Sequence, residues 1–356
     1  MELRLKFAAK GRQTPKDNAI WRYRRSRQHF IGRKREIIMQ THITKVAIIG
    51  AGAVGATVAF SLVVKGVAAE IALVDLKKEK AMGEMLDLAH SMDFQRRNVR
   101  VSCGGYEECK DADIVVITAA APYGGETDRM QMLDRTAGII KSIVPAVMES
   151  GFDGIFIVVS NPVDVISYLV KELSGLPRNR VIGTGTILES ARLKQEIGQI
   201  LNMDPRSVEA YVMGEHGNSM MIPWSHVRAG GKPFLDVMAD NPGLFGDTSL
   251  EDLTEKTKLA GNVVLQAKGN TQYGIAGAVT GMVTSILQND NKLYPVSVYL
   301  DGEYGLRDVY CGVPAILGRE GILDIGEYHL LPEEKQKLEN SAAQIQKGIE
   351  RLGLRK

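Results

Sequence analysis

The chain has 356 residues, of which 44% are hydrophobic and 24% charged, enough for more than one core and for two domains of about 150 residues each. That balance excludes the disordered, collagen-like and disulfide-scaffold classes. The net charge of +2 averages two unlike parts, since residues 1–38 hold 12 Lys/Arg against 3 Asp/Glu while the remainder holds 32 against 39, and so acidic a body gives little reason to expect nucleic acid as a partner.

Residues 1–38 are rich in Arg, poor in acid and without apolar periodicity. They read as an appendage, and three accounts compete: a start site upstream of a true one at Met39, a targeting or subunit-swapping arm, and a polyanion-binding tail. A transit peptide would also be rich in Ser, and only Ser26 is present.

Val46 to Val64 carries no charge and follows basic residues, which on its face is a membrane anchor. Glycines divide it, however, into KVAIIG, a tight turn, and AVGATVAFSLVVK stopped by Gly66. That pattern predicts strand, turn and helix, with Gly66 as the helix C-cap. Gly50, Gly52 and Gly55 then form a dinucleotide fingerprint: the first for the turn, the second for approach of a pyrophosphate, the third for helix packing. The next strand, EIALVD, ends in Asp75, whose carboxylate suits a ribose hydroxyl and repels a 2′-phosphate, favouring NAD over NADP.

Further strands are predicted at IVVITAA after Asp113, at GIFIVVS ending at Ser160, and at RVIGTGT. Helices are predicted from Asp134 to Ser150 and from Asp164 to Ser174. Apolar strands separated by amphipathic helices predict an α/β fold, a Rossmann doubly wound parallel sheet. Past Thr186 the pattern changes to long helices, a hairpin-like stretch at GGKPF and a last helix with Leu338, Ala342, Ile345, Ile349 and Leu352 on one face, read as an α+β substrate domain. The expected division is 1–38 extension, 39–185 NAD-binding domain and 186–356 catalytic domain. Cys103, Cys109 and Cys311 are odd in number and lack CxxC spacing, which predicts a reducing compartment, the cytoplasm, and no metal site.

Chemistry must come from polar residues, because the fold alone serves many reactions. His216 in GEHGN can exchange the proton that accompanies hydride transfer to a carbonyl. Arg192 in SAR offers a guanidinium fork for a carboxylate. Arg129 ends the loop PYGGETDR, whose glycines would let it close over a carbonyl. Each taken singly also fits a bland role: a turn histidine, or a surface salt bridge.

With these motifs in order, the sequence from Lys45 onward resembles the L-lactate and malate dehydrogenase family, the L-lactate branch most closely. The resemblance rests on KVAIIGAGAVG, Asp75, SNPVD at Ser160, IGTGTILESAR at Ile182, GEHG at Gly214 and KGNTQYGIA at Lys268. It implies that His216 donates and accepts the proton, Arg192 grips the substrate carboxylate, Arg129 closes over the carbonyl, Asn161 bonds substrate and Thr271 lines the pocket. Val54, Asp75, Lys80, Tyr106, Ala120, Ala121, Ser142, Val159, Asn161 and Thr184 match cofactor-contact positions beside the three glycines. It further implies a 2-oxo or 2-hydroxy acid as the small-molecule partner, no nucleic acid or membrane partner, and a homodimer or homotetramer.

The sequence departs from the family pattern at several points. The partner of the catalytic histidine is Glu189 where the family has Asp, and one added methylene matters because an offset of about 1 Å costs on the order of 10²-fold in rate. Asn218 replaces an acid after GEHG. The substrate-selecting position matches Tyr123, with Pro122 as the other candidate. Without Arg there, oxaloacetate lacks a counter-ion for its second carboxylate. The positions that bind an activating sugar bisphosphate in many bacterial relatives match Lys194 and Glu209, and a carboxylate facing phosphate predicts no activation. The reading is an L-lactate dehydrogenase. An L-2-hydroxyisocaproate-type or malate enzyme, a non-catalytic NAD sensor and a metal-dependent NAD glycosidase are the alternatives. A short-chain reductase would want Tyr-x-x-x-Lys, whereas Tyr168 and Lys171 are only three apart.

Overall fold

The computed structural model describes residues 42–121 and 129–354, with the side chains of 129–131 outside the description. The basic tail, Pro122, Tyr123 and the rest of the PYGGETD loop lie outside the described residues. From Ile43 onward the chain forms one compact unit.

The charge-free run resolves as its glycines predict. Strand β1 (Lys45–Ile49) is followed by a turn at Gly50 and helix α1 (Ala53–Lys65). Gly66 ends the helix in the left-handed conformation at φ 59°, its N–H directed to Leu62 and Val63 carbonyls. Among the described residues no helix is long and apolar enough to cross a membrane. The chain continues through β2 (Glu70–Val74), α2 (Lys78–His90), β3 (Arg100–Gly104), β4 (Ile114–Ile117), α3 (Arg129–Glu149), β5 (Ile155–Val158), α4 (Val163–Ser174) and β6 (Val181–Gly183).

These strands pair in parallel in the order β3-β2-β1-β4-β5-β6. The middles of β1, β2, β4, β5 and β6 are buried on both faces, as their continuous Val/Ile runs require, while the edge strand β3 is only half-buried. The order reverses between β1 and β4, so the loops after these strands open a crevice at their carboxyl ends.

The second half contains α5 (Ile187–Ile200), the short strands β7 (Val208–Glu209), β8 (Arg228–Ala229) and β9 (Lys232–Pro233), then α6 (Phe234–Asp240), α7 (Pro242–Phe245), α8 (Leu250–Lys268) and α9 (Tyr273–Gln288). The hairpin at GGKPF is β8–β9, its two-residue loop of Gly230 and Gly231 at φ 58° and 82°. Three longer strands follow that periodicity alone did not announce: β10 (Lys292–Asp301), β11 (Arg307–Gly318) and β12 (Gly321–Ile325). Buried on both sides through their centres, β10 and β11 lack the polar alternation that marks a half-exposed strand. The last helix is α10 (Pro332–Arg351), with Leu338, Ala342, Ile345 and Ile349 buried.

β10 pairs antiparallel with β6 at Ser297 and Gly183, so one nine-stranded sheet runs through both halves. The position expected for a domain boundary, residues 184–187, falls where the sheet changes from parallel to antiparallel. One core lines this sheet. A second, around Leu193, Ile197, Val212, Phe234 and Leu253, belongs wholly to the second half.

The tightest constraint is at Gly55, where a Cβ would lie 1.9 Å from the Gly50 carbonyl oxygen and 2.8 Å from Thr118 Oγ1. Because the first obstacle is backbone, Gly55→Ala is expected to cost at least about 1–3 kcal/mol. Urea unfolding that places the variant within about 0.5 kcal/mol of the parent contradicts this close packing.

Candidate active site

Two groups of residues meet at the carboxyl ends of the parallel strands. The first is the glycine turn. Gly50 sits at φ 103°, and Thr118, directly after β4, donates its hydroxyl to the carbonyls of Ile49 (3.1 Å) and Gly50 (2.9 Å). Asp75 accepts the Ala51 N–H through Oδ2 at 2.7 Å and the Lys77 N–H through Oδ1 at 2.8 Å. The carboxylate expected to meet a ribose therefore also ties the turn to the end of β2. Each of its oxygens retains a second lone pair for a ligand. Thr118 was missed by sequence reasoning, because nothing in a lone Thr after an apolar strand announces a contact 68 residues away.

Gly52 has the opposite surroundings to Gly55. A Cβ there would meet no atom within 4 Å, and α1 starts without a side-chain cap. Open space beside uncapped N–H groups, at the positive end of a helix, fits a pyrophosphate. Half-buried Val54 lies in the first turn of α1. Tyr106 stands close to Asp75: its phenol is raised above the ordinary value first by burial, then by Cys109 and Asp75. Ala120 and Ala121 follow β4, Val159 and Asn161 follow β5, and Thr184 follows β6 with its N–H on the Val158 carbonyl. These residues fit a dinucleotide. Lys80 is exposed on α2, and Ser142 is exposed on α3 with its hydroxyl on the Ile139 carbonyl. Among the described residues no side-chain hydrogen bond or ion pair joins either of them to the crevice.

The second group is assembled from α5, the loop after β7 and the start of α9. Glu189 and Arg192 lie one turn apart on α5, and Arg192 Nη1 donates to Glu189 Oε1 at 3.0 Å. His216 Nδ1 stands 3.1 Å from the same oxygen, an ion pair when the ring is protonated, with the ring N–H not aimed at the acceptor. Glu189 is only 5% exposed, and its other oxygen, Oε2, has no partner among the described residues. Arg192 is backed by Gly261 of α8, where a Cβ would come within 3.0 Å of the guanidinium. Thr271 is half-buried just before α9, beside Asn270, whose Oδ1 is likewise buried without a partner among the described residues. Arg129 begins α3, but its side chain lies outside the described residues, as does Tyr123.

Electrostatics couple this triad. Burial, the largest influence on His216, acts to lower its pKa, but the charge of Glu189, with a smaller contribution from Asp164, outweighs it and the net direction is upward. Burial acts to raise Glu189, yet His216 and Arg192 together hold its carboxyl below the ordinary value. Such an arrangement favours a protonated imidazole beside a cationic anchor, a setting in which a proton can be delivered to the oxygen of a bound oxo acid.

Farther along α5, Lys194 Nζ lies 4.9 Å from the centre of the Tyr211 ring. Its pKa is lowered by burial and by Lys292, while Glu209 acts in the opposite direction. Lys194 and Glu209 are thus close enough to influence each other, with the carboxylate beside the cation.

Residues 44–183 match the model of the lactate/malate dehydrogenase NAD binding domain, and residues 186–353 that of the lactate/malate dehydrogenase alpha/beta C-terminal domain. The chain is 47% identical over 304 residues to L-lactate dehydrogenase 3 of Bacillus anthracis, covering 85% of this chain and 96% of the relative. It is 46% identical over 308 residues to L-lactate dehydrogenase 1 of Bifidobacterium longum, covering 86% and 98%. The crystal structure of the minor L-lactate dehydrogenase from Enterococcus mundtii in its ligands-bound form superposes with a TM-score of 0.84 at 41% identity, covering 87% of this chain and 98% of that one.

The ion pair carries a pH signature. His216, shifted up, stabilises the fold below its unfolded value of about 6.5, and this is lost as pH rises through the folded value. Glu189, shifted down, stabilises above its unfolded value of about 4.5, and this is lost as pH falls through the folded value. Glu189→Gln should therefore depress Tm most at about pH 5.5 and less at about pH 9. An equal deficit at both, measured by thermal melts, contradicts the coupling.

Proposed function

The chain belongs to the lactate/malate dehydrogenase family, and we propose that it catalyses the reversible reduction of pyruvate to L-lactate with NADH. The observation that carries this reading is the buried Glu189 oxygen shared by an imidazole and a guanidinium. Bound NADH supplies the hydride. The chain's own residues bind the substrate, orient it and move the proton.

In this reading His216 gives its proton to the carbonyl oxygen from Nε2, while Glu189, on the Nδ1 side, stabilises the charged ring. Arg192 has further N–H groups beyond the one bound to Glu189, and these take the substrate carboxylate. Arg129 is assigned to the carbonyl, Asn161 to a substrate hydrogen bond, and Thr271 and Tyr123 to the walls around the substrate side chain. Asp75 selects NADH over NADPH by repelling a 2′-phosphate. Residues 39–185 then act as the cofactor half and 186–356 as the substrate half, in the cytoplasm, where the free thiols Cys103, Cys109 and Cys311 would persist.

We further propose a homodimer or homotetramer. Met82 and Leu86 on α2, Phe94 after it, and Leu259 and Val263 on α8 leave large apolar side chains in water, paired four residues apart on each helix. Sedimentation should give two or four copies, and Val263→Glu should shift the population toward one. A parent chain that sediments as a single copy overturns this.

The activity is tested by comparing kcat/KM for pyruvate, oxaloacetate and 2-oxoisocaproate with NADH, in the full chain and in one starting at Met39. Pyruvate should lead, without activation by fructose 1,6-bisphosphate. His216→Ala and Arg192→Ala should each lower turnover by about 10²–10⁴-fold. NADH binding without oxidation by any 2-oxo acid would leave a nucleotide sensor instead.

A further inference from the structure

Three consecutive backbone N–H groups of the GEHG loop are each held by a different element. The Gly214 N–H donates to the Gly312 carbonyl on β11 at 2.9 Å, and the Glu215 N–H donates to Ser341 Oγ on α10 at 2.8 Å. The His216 N–H donates to Asp164 Oδ2 on α4 at 2.9 Å. Only the last acceptor is ionisable. Asp164 is 2% exposed, and its other oxygen, Oδ1, accepts the hydroxyl of Ser297 on β10 at 2.6 Å. One side chain therefore joins the second residue of α4, the antiparallel part of the sheet and the loop that carries the imidazole, across sequence separations of 133 and 52 residues.

The fold leaves little freedom around this junction. A Cβ on Gly183, which pairs with Ser297, would lie 2.4 Å from Ser167 Oγ and 2.8 Å from Ser297 Cβ. Gly214 has φ 94°, and a Cβ there would meet Ser341 Oγ at 2.5 Å. A cleft of about 400 Å³ between α10 and the loop, walled in part by Asp164, Glu215, Ser219 and Gln344, gives solvent an approach from this side.

We propose that Asp164 is a positioning residue for His216, fixing the backbone that presents the imidazole and adding a second negative charge to that of Glu189 in favour of the protonated ring. This rests on the reading of His216 as the proton donor. Burial pushes the Asp164 carboxyl up to about 6, against the pull of Ser297 and the His216 N–H. Its charge acts upward on His216, in the same sense as Glu189 and against Arg192. The other ionisable groups facing it are Glu215, in the loop, and Cys311 on β11, whose burial keeps the thiol neutral. Burial thus works against the Asp164 charge, and the hydroxyl of Ser297 and the His216 N–H work for it.

The test follows the His216 ring directly, by NMR of the full chain labelled at histidine, with its signal identified by loss in His216→Gln. Asp164→Asn keeps the shape and removes the charge. The His216 midpoint should fall by about one pH unit, and the alkaline limb of kcat/KM for pyruvate should move down with it, roughly a tenfold loss at alkaline pH. Ser297→Ala, which leaves the carboxylate and the His216 bond in place, should lower the midpoint by a smaller amount. An unchanged midpoint in a folded Asp164→Asn overturns the proposal. If that variant does not fold, an unchanged midpoint in Ser297→Ala overturns it. A shifted midpoint in a protein that reduces no 2-oxo acid upholds the positioning role while removing the dehydrogenase reading, and an unshifted midpoint in an active enzyme removes only the positioning role.

Discussion

A single buried oxygen, Glu189 Oε1, organises the candidate active site. It lies within 3.1 Å of the His216 ring and 3.0 Å of the Arg192 guanidinium, so that one negative charge answers two cationic groups. Removing such a charge from a buried setting leaves both partners uncompensated. One oxygen reaches both groups, but its approach to the ring is oblique and the second oxygen remains unpaired among the described residues.

The cofactor crevice depends on a similar economy of contacts. Asp75 ties the Ala51 amide to the end of β2, and Thr118 fastens the two carbonyls that precede the helix. Only with the turn fixed this way do the uncapped N–H groups of α1 face open space at Gly52 while Gly55 admits no side chain. The glycine pattern and the supporting polar residues are one device: backbone approach on one side, backbone contact on the other.

The two halves of the chain are joined more closely than a division at residues 184–187 suggests. The pairing of Ser297 with Gly183 carries the sheet from the first half of the chain into the second, and Asp164 connects that seam to the His216 loop. Helix α5 starts immediately beyond the seam, so Glu189 and Arg192 are placed by the same strand that ends at the crevice. The His216 loop and the carboxyl ends of the parallel strands thus share one support.

The sequence by itself determined the local structure and the reaction class. Glycine spacing against a β-branched strand specifies turn and helix through steric limits that act over a few residues, and the ordered motifs from KVAIIG to KGNTQYGIA supply the chemistry. Only the tertiary structure decided that Glu189 serves Arg192 as well as His216, that Asp75 and Thr118 brace the turn, and that Asp164 holds the His216 backbone. It also decided the antiparallel extension, because β10 and β11 are buried on both faces and so carry no alternating pattern. For Asp75, Thr118 and Asp164 the physical reason is common: hydrogen bonds between groups 24 to 133 residues apart leave no periodicity in the chain, and exist only once packing has brought their elements together.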